Sequence, residues 1–226
     1  IPHYVFTSDL LRTNYIKYLS DKYRVIVLTS MIGTEEAKQR NYFSSPNVIY
    51  IKWNLENPKF WSVFKFLRIA LIGEFDYLAS MKYFYHRPNY VNNFKRRMLR
   101  NLFWPITKIL KASWFTAVEY LLLPKSNKFL SYLKEFQPSL LVTATPGFDA
   151  VESELILLAK KSKLPSVAVN FTWDNLTMNC KHIRKTDYLV AWNEVMKKEA
   201  INTHKYKPDQ IFISGTPIKS SSRQTK

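Results

Sequence analysis

A chain of 226 residues suits one large domain or two small ones, and 46% hydrophobic with 15% aromatic residues excludes wholesale disorder. A net charge of +17 points to an anionic partner: nucleic acid, acidic lipid or a phosphorylated small molecule. The single cysteine, Cys180, excludes an intramolecular disulfide.

The chain opens at Ile1 in a strand pattern, "HYVFTS" (His3 to Ser8), so residues upstream are expected. Ser8 can cap a helix through Leu10, Leu11, Tyr15 and Tyr18. "YRVIVLTS" (Tyr23 to Ser30) is a continuous apolar run, the pattern of a strand buried on both faces. Thr34, Glu35 and Glu36 can start a short helix, and "NVIYIKW" (Asn47 to Trp53) reads as a third strand. No secretory signal is visible, and no window holds the ~18 uninterrupted apolar residues of a spanning helix. A cytoplasmic location is expected, with peripheral contact at the inner face of the membrane.

From Pro58 to Gln137 the strand signals stop and helical periodicity takes over, punctuated by Pro88, Pro105 and Pro124. Between Lys59 and Lys125 stand twelve Lys or Arg against three acids, interleaved with aromatics. Arg68, Lys95, Arg96, Arg97, Arg100 and Trp104 suit the interface of an anionic membrane. The other reading is a helical insert whose aromatics face a core and whose charges are solvated. Nucleic acid is the least favoured partner. "NKFLSYLKEFQ" closes this part with Phe129, Leu130, Leu133 and Phe136 as its expected apolar stripe.

Strand and helix patterns then alternate. "SLLVTA" is a strand, and "TPGFDAVESELILLAKK" a helix with Thr145 as cap and Pro146 at its first position. "PSVAVNF" and "DYLVAW" are strands, "NEVMKKEAINTH" a helix capped by Asn193, and "QIFISG" a last strand. This alternation predicts a mostly parallel, doubly wound α/β sheet of about seven strands, with the helical insert (58–137) between the third and fourth. "KSSSRQTK" (219–226) reads as a disordered tail.

The four glycines allow neither a G-x-G-x-x-G fingerprint nor a P-loop, and no metal-ligand spacing or D-x-D pair occurs. No metal and no cofactor is expected. In an open α/β sheet, ligands bind at the carboxyl ends of the strands. Thr143, Thr145, Gly147 and Asp149 are candidates there, because amides at a helix start favour anions. An ordinary helix cap explains the same residues. Trp173, Asp174 and Asn175, in "VNFTWDNLTMN", leave the next strand. Asp174 can hold a sugar hydroxyl or serve as a general base, and Asn175 offers a donor and an acceptor. An Asx turn over a packed Trp173 is the alternative. Asn193 and Glu194 fit a capped helix start, and His204 reads as structural.

"SVAVNFTWDNLTMN", "DYLVAWNEVMKKEAINTH" and "QIFISGTP" together resemble bacterial GT-B-type glycosyltransferase-like proteins of surface carbohydrate biosynthesis. That group is akin to the CDP-glycerol glycerophosphotransferase and UDP-GlcNAc 2-epimerase-like superfamily. The matching residues are Thr172 to Thr177, then Asp187, Trp192, Asn193 and Glu194, then Gly215 with Pro217. The match is dense from about Ser139 to Pro217 and generic upstream.

The resemblance implies a Rossmann-like, acceptor-side domain (1–217) of a two-domain, metal-independent enzyme. Such an enzyme moves a sugar from a nucleotide-sugar to a lipid-linked or surface-polysaccharide acceptor. Asp174 is then the catalytic candidate, with Thr143, Thr145, Gly147, Asp149, Trp173, Asn175, Asn193 and Glu194 lining the cleft. Gly215 and Pro217 would lie between domains. The family continues past "SGTP" into a donor domain, which the resemblance leads one to expect outside these 226 residues, so nucleotide-sugar binding is expected of a missing domain or a second subunit. Without it, transfer is not expected. A non-catalytic scaffold and a basic nucleic-acid-binding domain are the alternatives.

Overall fold

The computed structural model describes residues 14–29, 33, 35, 37, 44–53, 98, 102, 114, 117–118, 121, 127–147, 150–170, 176–177 and 184–215. The chain divides into two compact units, one of residues 1–56 with 214–226, the other of residues 57–213. The expected strand His3–Ser8, most of the insert and the tail lie outside the described residues.

In the first unit, helix α1 (Tyr15–Ser20) precedes strands β1 (Val25–Thr29) and β2 (Val48–Lys52). The strands pair in parallel, with Val25 opposite Val48 and Thr29 opposite Lys52. Parallel strands need a crossover between them, and Glu35 and Ala37 are helical within that stretch. Ile16, Val27, Ala37, Val48 and Tyr50 form the core. Burial pushes the Tyr50 phenol up to about 12. β1 is less enclosed than its apolar run suggests. Only Val27 and Thr29 are buried, while Val25, Ile26 and Leu28 are half-buried.

The second unit carries helix α2 (Asn127–Phe136), strand β3 (Leu141–Thr143), helix α3 (Ala150–Lys161) and strand β4 (Ser166–Val169). Strand β5 (Tyr188–Ala191), helix α4 (Glu194–Asn202), a short 3-10 turn and strand β6 (Ile211–Ile213) follow. Its four strands are all parallel and lie in chain order, β3-β4-β5-β6. Helix α3 packs on β3 and β4, and α4 on β5 and β6. The mixed α/β class with parallel sheets is therefore present, with six strands among the described residues.

One row across the second sheet shows how it is packed. Thr143, Ala168, Leu189 and Ile211 stand opposite one another and are all buried. Met196 and Ala200 of α4 join Ala168, Leu189, Ala191 and Ile211 in one cluster. The alternate residues point the other way. On that face Val142, Tyr188 and Phe212 are exposed, and Val167, Val169 and Val190 are half-buried. An apolar strand is thus not proof of burial on both faces.

Two local expectations change. The stripe of α2 is Phe129, Tyr132, Leu133 and Phe136, whereas Leu130 is exposed. Spacing of three and four residues keeps a helical face, and a step of one leaves it by ~100°. Helix α3 begins at Ala150, so Thr145 is not its cap and Pro146 is not its first residue. Gly147 has φ +95°, which interrupts any helix running through it.

Candidate functional site

Because all four strands of the second unit run the same way, their carboxyl ends form one edge. Three chain segments leave it in ways that differ in how their polar groups are satisfied.

At the end of β3 the chain turns on a buried carboxylate. Ala144 N and Thr145 N donate to Glu152 Oε1 at 3.0 and 3.1 Å. The Thr145 hydroxyl donates to Glu152 Oε2. Thr143 Oγ1 donates to the Thr145 carbonyl at 2.7 Å, and Ser153 Oγ to the Gly147 carbonyl at 2.9 Å. Gly147 N reaches Thr145 Oγ1 at 3.4 Å, and Pro146 has no N–H. Every backbone N–H from 144 to 147 is therefore engaged within the chain. Glu152 is 2% exposed.

These bonds bear on the anion reading of Thr143, Thr145 and Gly147. The amides that would hold a phosphate already hold Glu152, and a second anion beside that carboxylate would be repelled. Gly147 is favoured chiefly by its backbone conformation. Its φ is strained for other residues, and an added Cβ would lie 3.2 Å from Ile156 Cδ1. Asp149 lies outside the described residues.

At the end of β4 the situation is reversed. Asn170 N continues the ladder to the Val190 carbonyl at 3.1 Å, and its own carbonyl accepts from the Trp192 indole at 2.5 Å. Its side chain is 0% exposed, and among the described residues neither Nδ2 nor Oδ1 has a hydrogen-bond partner. Leaving such a group buried and unpaired costs on the order of 1–3 kcal/mol. Asn170 follows the alternation of Ser166 and Ala168, so it shares the α4-covered face. Trp173, Asp174 and Asn175 lie outside the described residues. Just beyond them Leu176 is buried, and its carbonyl meets His204 Nε2 at 2.7 Å. That contact gives the buried His204 its structural role.

At the end of β5, Trp192 packs against the core and ties β5 to β4 through Asn170. Asn193 is extended and its side chain accepts from Met196 N at 2.9 Å, a helix cap as expected. Glu194 is exposed at the positive end of α4. Both residues are accounted for by helix-start chemistry. Past β6, Gly215 has φ +79° and stands beside the boundary between the units, between Ile213 and Ser214. Pro217 is outside the described residues.

Asp187 works at the opposite, amino edge. Its Oδ2 accepts from Ser166 N and Ser166 Oγ at 2.8 and 2.7 Å, which pins β5 to β4. Its carbonyl accepts from Gln210 Nε2 at 3.0 Å. Among the described residues no three His, Cys, Asp or Glu are grouped to hold a metal. No described helix is long and apolar enough to cross a membrane. The membrane-facing candidates Arg68, Lys95, Arg96, Arg97, Arg100 and Trp104 lie outside the described residues.

Glu152 and Asn170 were not singled out as site residues from the sequence. Glu152 reads there as one acid among several in a first helical turn. Asn170 carried a signal: a carboxamide on the buried phase of an otherwise apolar strand. Comparison with known proteins finds no matching family model and no matching curated protein.

Proposed function

We propose that this chain is the acceptor-side, Rossmann-like domain of a GT-B glycosyltransferase of surface carbohydrate biosynthesis. In this reading its sheet is doubly wound, of about seven strands, and the transfer needs no metal. The observation that carries the reading is the adjacency of β4, β5 and β6. The stretches T-W-D-N-L-T, W-N-E and G-x-P follow these three neighbouring strands, so they leave one edge of one sheet. The Glu152-filled turn supports an acceptor rather than a donor role. A nucleotide diphosphate finds no amide cradle at β3, so it is held by a second domain or subunit. A neutral carbohydrate faces no such repulsion. Asp174, four residues beyond Asn170 in the sequence, is the candidate base, with its sequence neighbours Trp173 and Asn175.

The test measures carbohydrate and nucleotide-sugar binding by the 226-residue chain. Oligosaccharides from bacterial surface polymers are expected to be retained on a glycan array, and UDP-sugars and CDP-glycerol to show no binding by calorimetry. Asp174→Ala is expected to weaken retention. Tight UDP-sugar binding by this chain alone would reverse the acceptor assignment. Failure to retain any carbohydrate, with no sugar transfer by the full coding sequence, would end it.

A further inference from the structure

The insert is basic in sequence, and its described positions add a second feature. Trp114, Ala117, Val118 and Leu121 are each helical, at the spacing i, i+3, i+4, i+7 that defines one helical face. All four are exposed, Trp114 by 53%, Val118 by 42% and Leu121 by 79%. Met98 and Leu102, four residues apart and also helical, are exposed by 52% and 60%. A soluble surface helix turns its polar face outward, so apolar side chains at this spacing need another cover.

Charge says which cover fits. Twelve Lys or Arg against three acids lie between Lys59 and Lys125, and Glu119 is the one acid between Lys82 and Lys125. A protein partner of ordinary composition would not require that excess. An anionic bilayer would, because its headgroups attract Lys and Arg while its acyl boundary takes Trp, Val and Leu. We propose that the face formed by Trp114, Val118 and Leu121 docks on an anionic membrane surface, lying in the interface without spanning it. The placement does not depend on glycosyl transfer. It brings the chain to where a lipid-linked molecule is presented, whatever is done to that molecule.

Flotation of the full chain with phosphatidylcholine vesicles, with and without phosphatidylglycerol, tests this. The wild type is expected to float with the anionic vesicles and to be largely released by high salt. The double variant Val118→Asp, Leu121→Asp is expected to float at least about tenfold less, since two apolar contacts become charged. Its melting temperature should stay near that of the wild type, because the side chains are exposed. A wild type that stays unbound overturns the proposal, as does a double variant that floats equally well. A sharp fall in melting temperature shows instead that the face is packed inside the protein. Unchanged flotation with loss of a dimer in sedimentation shows a contact between copies of the chain.

Discussion

The turn after β3 and the end of β4 occupy equivalent places in one sheet, yet their buried polar side chains are satisfied differently. At β3 a buried carboxylate collects two amides and a hydroxyl, and a second hydroxyl braces the loop. At β4 a fully buried carboxamide lacks a partner among the described residues. The first arrangement rigidifies a turn, and the second holds an unfilled requirement for hydrogen bonds. Position at the carboxyl edge is thus not enough to identify a site. What separates the two is whether the chain has already used its polar groups.

The largest expected effect breaks the closed turn. Glu152→Ala leaves two amides and a hydroxyl buried without their acceptor, and should cost roughly 3–5 kcal/mol. Urea denaturation measures this, and a loss under about 1 kcal/mol would mean that the turn is not held by Glu152. Next, Gly147→Ala should cost roughly 1–3 kcal/mol, because φ +95° is strained for alanine and the new methyl crowds Ile156. The same denaturation curves report it.

Asn170→Leu should move stability the other way, raising it by about 1 kcal/mol as an unpaired carboxamide becomes an apolar side chain of similar size. If carbohydrate retention falls in the same variant, the carboxamide at the end of β4 supports the binding residues beyond it. A drop in melting temperature would show that the carboxamide is satisfied internally, and the contrast with β3 would vanish.

The smallest effect lies off this edge, on α4. Burial raises the Glu199 carboxyl above its ordinary 4.5. The folded state therefore holds that proton more tightly than the unfolded state. Its contribution is most favourable at pH below 4.5 and is lost as pH rises through the raised value. Glu199→Gln should match the wild type near pH 4 and melt slightly higher near pH 7. Equal melting temperatures at both values would refute the burial argument.

Much of the second unit was legible in the sequence because short-range chemistry decides it. Strands β4, β5 and β6 came from compact apolar runs, and α4 from Asn193 as cap. The start of α3 is not legible, because Thr145 followed by Pro146 is good cap chemistry whereas the glycine after them adopts a left-handed turn. The Glu152 clamp joins residues seven and eight apart across that turn, a pairing that no helical or strand period reveals. Sequence composition also hid the open face of the sheet. Val142, Tyr188 and Phe212 are as apolar as the covered row, and only tertiary packing distinguishes them. Thr172 to Asn175, part of the first stretch named for the resemblance, lie outside the described residues.

The chain-order arrangement of β3, β4, β5 and β6 has a consequence for synthesis. Each strand finds its partner in the one just made, so the ribosome delivers the sheet in the order in which it assembles. Among these four described strands none waits for a distant one, which keeps loop-closure entropy low. At every stage one fresh strand edge is open, and the next helix and strand close it and move the exposure along. Stalling the ribosome between β5 and β6 would therefore trap a nascent three-stranded sheet whose β5 edge is ready to pair with another chain.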